Sequence, residues 1–283
     1  MSGDGSSMDH AFRSISEAVS AASSGDRLCI DTGTYQEGAP INLGKDVHLV
    51  GVADEPPVLT GADLYTVVTV AADAEVTLEN LVISDGAGTN GGGIYTEGSL
   101  TLINTTVAHN SALYGAGIFV GGGTLVLASG AKVSDNEATG NDGGWGGGVF
   151  VDLGRISMKA GSLVRDNDAN KSGGGVYVFR DGTASFESGA VIEENRAMVN
   201  GGGFFNYGAA DIRSQSTIVR NIAMQNGGGV WHGGTSLTLD GEVLVADNMA
   251  ALGGGVYVVT GSAISGPDSG VAGNSPDDVF NQP

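Results

Sequence analysis

The chain has 283 residues, of which 50 are glycine and only 6 proline, and it carries a formal net charge of −20. Glycine at more than twice its usual share of about 7% comes without collagen's period, and 41% apolar residues is too many for a disordered linker. The acidic balance argues against nucleic acid and anionic membrane surfaces as partners, and short alternating runs of Val, Thr and Ile exclude a large all-helical fold.

In chain order, Met1 to His10 is polar and lacks the apolar core of a signal peptide, so none is expected in this chain. Asp9 to Ala22 then places Ala11, Phe12, Ile15, Ala18, Val19 and Ala22 at helical spacing. Residues 1–24 are therefore expected to form a capping helix across the open end of a strand-rich body, where a bare first coil would expose core and strand edges. Residues 25–90 hold β-prone runs at Leu28 to Ile30, Val47 to Val50, Val58-Leu59, Val67 to Val70 and Val76 to Ile83, read as about three irregular coils. Cys29 is the one cysteine, which excludes an internal disulfide framework and a Cys-based zinc site. No apolar run approaches the ~18 residues of a membrane span.

Residues 91–275 are repetitive. Triple-glycine blocks begin at Gly91, Gly146, Gly173, Gly201, Gly227 and Gly253, with a Gly-Ala-Gly variant at Gly115. A second signal, apolar-x-x-Asn-x-Ala, keeps step with them from Val107 through Val245, and a truncated copy ends at Asn274. Each copy holds three short β-prone segments, as in Val176 to Val178, Thr183 to Phe186 and Ala190 to Ile192, divided by turns at Asp181-Gly182 and Ser188-Gly189. Three strands in a period of about 27 residues, without helices, make each copy one coil of a parallel β-solenoid, and the period excludes a propeller of ~40–50-residue blades. The expected fold is all-β, a single-domain parallel β-helix of about ten coils with three strands per coil, closed by a polar tail over residues 276–283.

A solenoid turns each repeat position into a column along its length. The asparagines Asn110, Asn136, Asn167, Asn195, Asn221, Asn248 and Asn274 are expected to form a structural ladder, since stacked amides satisfy each other and the turn carbonyls. The fifth residue of each glycine block is aromatic: Tyr95, Phe119, Phe150, Tyr177, Phe205, Trp231 and Tyr257. The residue before each is apolar, from Ile94 to Val256, so aliphatic side chains face in and rings face out. Stacked at ~4.8 Å, the rings would form an outward ridge about 30 Å long. It would either bind sugar rings or a protein surface, or stack on itself as a stabilising ladder.

The residue before each Asn is often acidic, namely Asp135, Asp166, Glu194 and Asp247, with His109 and Arg220 in the same series. Carboxylates on adjacent coils, about 5 Å apart, could raise one another's pKa or share a cation. They are the weak catalytic candidates, with Asp135 and Asp166 the candidate Ca2+ ligands; no other cofactor is expected. Arg196 and Arg220 are the cations expected beside them. No nucleophile elbow, P-loop or zinc-protease motif occurs, and the glycine run from Gly143 around Trp145 lacks the aspartate of calcium-binding nonapeptide repeats. His10, His48, His109 and His232 fall in different registers, and Ser99, Thr101, Arg155, Ser157, Asp211 and Thr238 are too mixed for a repeated threonine face.

Gly25-Asp26-Arg27-Leu28 followed by Asp31-Thr32-Gly33-Thr34-Tyr35 resembles the opening coil of pectate-lyase-like right-handed β-helix proteins. The paired Gly-Gly-Gly-Ile and x-x-x-Asn motifs resemble the repeats of chlamydial polymorphic outer-membrane proteins and related bacterial surface proteins. The likeness covers roughly residues 20–275. It implies a right-handed β-helix, an extracellular or cell-surface location, and adhesion or surface display. The expected function is a non-catalytic repetitive β-helix presenting a binding face to a glycan or protein surface, or to copies of itself. The alternative is a polysaccharide lyase or glycoside hydrolase built on the acidic column, because pectate lyases and inverting glycosidases use clustered carboxylates on such a face.

Overall fold

The computed structural model describes residues 5–140, 143–213, 215–266 and 270–283. Strands from successive coils pair in parallel into three ten-stranded sheets, and a fourth sheet holds six short strands. A coil starts on the aromatic sheet, for example Val176–Val178, continues on the first sheet at Thr183–Phe186 and on the asparagine sheet at Val191–Glu193, and crosses the short sheet at Arg196–Ala197. The short sheet was not expected, because its later strands are only two residues long and pivot on a small inward alanine. Ala112, Ala116, Ala138 and Ala169 pack there as a cluster of their own.

Pairing is in register along the whole solenoid, with Ile94 opposite Ile118, then Val149, Val176, Phe204, Val230 and Val256. Each of these is fully buried, and with the inward residues of the other sheets they form one continuous core. Burying each such side chain contributes about 1.5–3 kcal/mol. Where the core turns from aliphatic to aromatic, Phe186 and Phe204 meet edge-on with centroids 5.0 Å apart.

The glycine blocks let the backbone turn and let coils approach. Gly173 has φ of 71°, in the left-handed region, while a Cβ on Gly174 would stand 2.4 Å from the Arg196 carbonyl oxygen.

The N-terminal helix is real but shorter than its apolar spacing implies, spanning Ile15–Ala21. Ser14, in an extended conformation, ends it by accepting a hydrogen bond from the Glu17 N–H at 3.1 Å. The Glu37 carboxylate accepts from the Ile15 and Ser16 N–H groups at 2.8 and 3.2 Å, leaving Met8–His10 as a separate 3-10 turn. Ile15 and Val19 are buried against the first coil, as a cap requires.

Both ends of the repeat array continue the same architecture. The coils of 25–90 are in register with the rest, since Asp26–Ile30, Val47–Gly51 and Glu75–Glu79 head the first sheet. Within the polar tail 276–283, Val279–Asn281 is the tenth strand of the aromatic sheet, paired with Val256–Val258.

Candidate functional site

The asparagine column is a closed ladder. The Asn136 side-chain amide donates to Asn167 Oδ1 at 2.9 Å and to the Val107 carbonyl at 3.0 Å, while its backbone N–H donates to the same Oδ1 at 3.1 Å. The Asn-to-Asn amide bond repeats at 2.9–3.0 Å from Asn110 to Asn274, whose amide passes on to an Asp278 carboxylate oxygen at 3.0 Å. Each Oδ1 accepts a backbone N–H, which fixes the orientation of every amide. With Oδ1 and Nδ2 both engaged and the side chains buried, this column holds the turns.

The residue before each Asn serves the same turn. Asp135, Asp166, Glu194 and Asp247 have φ of 51–58°, as do His109 and Arg220. Short polar side chains tolerate this left-handed conformation better than apolar ones, which accounts for the acidic bias. Arg165 donates to Asp166 at 2.6 Å and to Glu194 at 3.3 Å, and Arg220 donates to Glu194 at 3.0 Å and also to Glu193. Arg196, expected beside this column, lies on the short sheet 4.0 Å from Asp168. Among the described residues no group of three or more His, Cys, Asp or Glu side chains comes together that could hold a metal ion.

The aromatic column points away from the core as alternation requires, but it is not an exposed ridge. Tyr95, Phe119, Phe150, Tyr177, Phe205 and Trp231 form one stack with centroid separations falling from 5.6 to 4.1 Å and planes within 8° of parallel. Phe119, Phe150, Tyr177, Phe205 and Tyr257 are only 7–8% exposed, because each ring covers the faces of its neighbours. Tyr257 starts a second, two-ring stack with Phe280 at 5.3 Å. Among the described residues no ring contact joins Trp231 to Tyr257.

What is accessible lies beside the ladder. Two residues after the aromatic position the chain reads Glu97, Gly121, Asp152, Phe179, Tyr207, Gly233 and Val259, a second outward column that the sequence reading missed although its offset is constant. Phe179 is 36% exposed, and Arg180 lies 5.9 Å over its ring and 5.2 Å over that of Tyr207. On the opposite flank Tyr114 stacks on Trp145 at 5.4 Å and meets Phe150 edge-on at 5.6 Å. Trp145 comes from the longest repeat interval, of which Asn141 and Asp142 lie outside the described residues.

The upstream end of the second column is acidic. The Tyr95 hydroxyl donates to Glu97 Oε1 at 2.8 Å; burial first, then Glu97 and Asp152, pushes its pKa up to about 12. The Asp152 carboxyl is raised by burial and by Asp181 one coil on. Between Glu97 and Asp152 stands Gly121, where a Cβ would stand 3.3 Å from both the Tyr95 hydroxyl oxygen and the Phe119 ring. The aromatic face is therefore a rigid floor with an aromatic and Arg180 shoulder at one end and a carboxylate-lined step at the other.

The family model of the right-handed β-helix region matches residues 66–266. No curated protein matches the chain, and no solved structure does. No helix among the described residues is long and apolar enough to cross a membrane.

Proposed function

The chain belongs to the right-handed β-helix family, and within it we propose a non-catalytic scaffold that presents its outer aromatic face to a glycan. The supporting observation is that the stack from Tyr95 to Trp231 forms a hydrophobic cluster separate from the core, with Phe179, Tyr207, Trp145 and Trp231 partly open around it. Fused to the ladder, these rings lose little conformational freedom on binding, and sugar C–H faces pack on aromatic surfaces of this kind. Arg180 and Asp181, exposed at the shoulder, supply donors and acceptors for hydroxyl groups. In this reading the six stacked rings from Tyr95 to Trp231 are the floor, and the contact is made by their open flank. The resemblance of the repeats to those of polymorphic outer-membrane proteins supports display outside the cell.

One observation favours a second reading. Asp152, raised by burial and by Asp181, holds a proton more readily than an exposed aspartate, as the general acid of a glycoside hydrolase must. A panel of neutral and acidic polysaccharides, scored for retention and for new reducing or unsaturated ends, separates the two. Retention without new ends supports display. New ends that vanish in Asp152→Asn assign catalysis to this face.

A further inference from the structure

The short sheet changes character along its length. Its two outward columns read Glu137 with Thr139 and Asp168 with Asn170 in the upstream coils. Over the next three coils the same columns, which also hold Arg196 and Ala251, and the turn beside them carry Met198, Ile222, Met224, Met249 and Leu252. These are 37–54% exposed, and they are five of the ten large apolar side chains exposed among the described residues. The fold does not demand them, because the inward position stays alanine in upstream and downstream coils alike, and the coils of Glu137 and Asp168 are polar outside. Three of the chain's six methionines stand here, and flexible thioether side chains suit an adaptable contact surface.

The rim is negative. Asp247 is exposed at an adjoining asparagine turn, and Asp277 and Asp278 come one coil on. The nearby cations are engaged, Arg220 with Glu193 and Glu194 and Arg196 beside Asp168, while Lys171 stands at the upstream end. An apolar centre inside an acidic rim, on a chain of charge −20, complements an apolar stripe flanked by cations. We propose that this patch docks a cationic amphipathic segment of a partner protein. It lies on a different sheet from the aromatic face, so it stands or falls independently of glycan binding.

The test uses the full chain and three labelled peptides of about 18 residues: Lys and Leu at helical amphipathic spacing, Glu and Leu at the same spacing, and Lys with Ser. Binding is read by fluorescence anisotropy. The Lys/Leu peptide should bind at least about tenfold tighter than either control. The double variant Ile222→Asp with Met224→Asp should lose at least about tenfold of that affinity at an unchanged melting temperature, and Met224→Leu should retain it. Charge attraction alone would make the more acidic double variant bind more tightly, so equal or tighter binding overturns the proposal. Failure of the wild type to prefer the Lys/Leu peptide overturns it too. Sedimentation velocity showing concentration-dependent dimers that disappear in the double variant would assign the patch to a second copy instead.

Discussion

The Trp231 indole stacks on the Phe205 ring at 4.1 Å and within 3° of parallel, the closest pair in the outer ladder. Strand register puts the two residues side by side on adjacent coils, and the coil spacing leaves a ring no room except against its neighbour. The ladder is thereby a stabilising element as well as a platform, each stacked pair contributing about 0.5–1.5 kcal/mol beyond its buried area.

Phe205→Ala should therefore cost about 3 kcal/mol, since it removes a buried ring stacked on both faces. Phe179→Ala, at the exposed shoulder, should cost no more than about 0.5 kcal/mol. Urea denaturation of both variants checks this. Equal small losses would mean that the ladder rings contribute nothing by stacking.

Asn195→Ala should cost about 1–3 kcal/mol by leaving the Asn167 N–H and the Val164 carbonyl buried without their partner. Solenoid contacts join adjacent coils, so lost hydrogen-exchange protection should centre on the coils of Asn167 and Asn221. Uniform loss along the chain would contradict the ladder's local role.

The asparagine ladder was legible because one residue type recurs in one register and an amide can serve donor and acceptor columns at once. The outward direction of the rings was legible too, from their alternation with Ile94, Val176 and their equivalents. Their burial was not, because exposure depends on neighbours one coil away. The Glu97 to Val259 column escaped notice because its chemistry changes from acid to glycine to aromatic along the solenoid. The last strand, Val279–Asn281, was hidden behind the polar run at Asp277-Asp278, which turns out to end the ladder.

Stability should fall with acid because of His232. Its ring is buried between the Asn206 amide, 3.1 Å from Nδ1, and the Ala263 carbonyl, 3.0 Å from Nε2. Burial lowers its pKa in the folded chain. The unfolded chain then binds a proton below pH ~6.5 that the folded chain does not, so stability present above that pH is lost as pH falls. His232→Val, which copies Val178 and Val258 of the same column, should lessen the drop in melting temperature between pH 7.5 and 5. An identical drop in the variant would clear His232 of this role.

Calcium should leave the melting temperature unchanged. Arg165 and Arg220 already supply positive charge to Asp166 and Glu194, and no three-ligand cluster exists among the described residues. A rise with millimolar calcium that chelator reverses, and that Asp135→Asn with Asp166→Asn removes, would restore the cation site.

The most direct test of the aromatic face is calorimetric titration of the polysaccharide panel into the wild type and the double variant Phe179→Ala with Tyr207→Ala. Both side chains lie on the open flank, so the account predicts an unchanged melting temperature and a loss of at least about tenfold in glycan affinity. Equal affinity of the two proteins for every glycan, or no binding by the wild type, would contradict it.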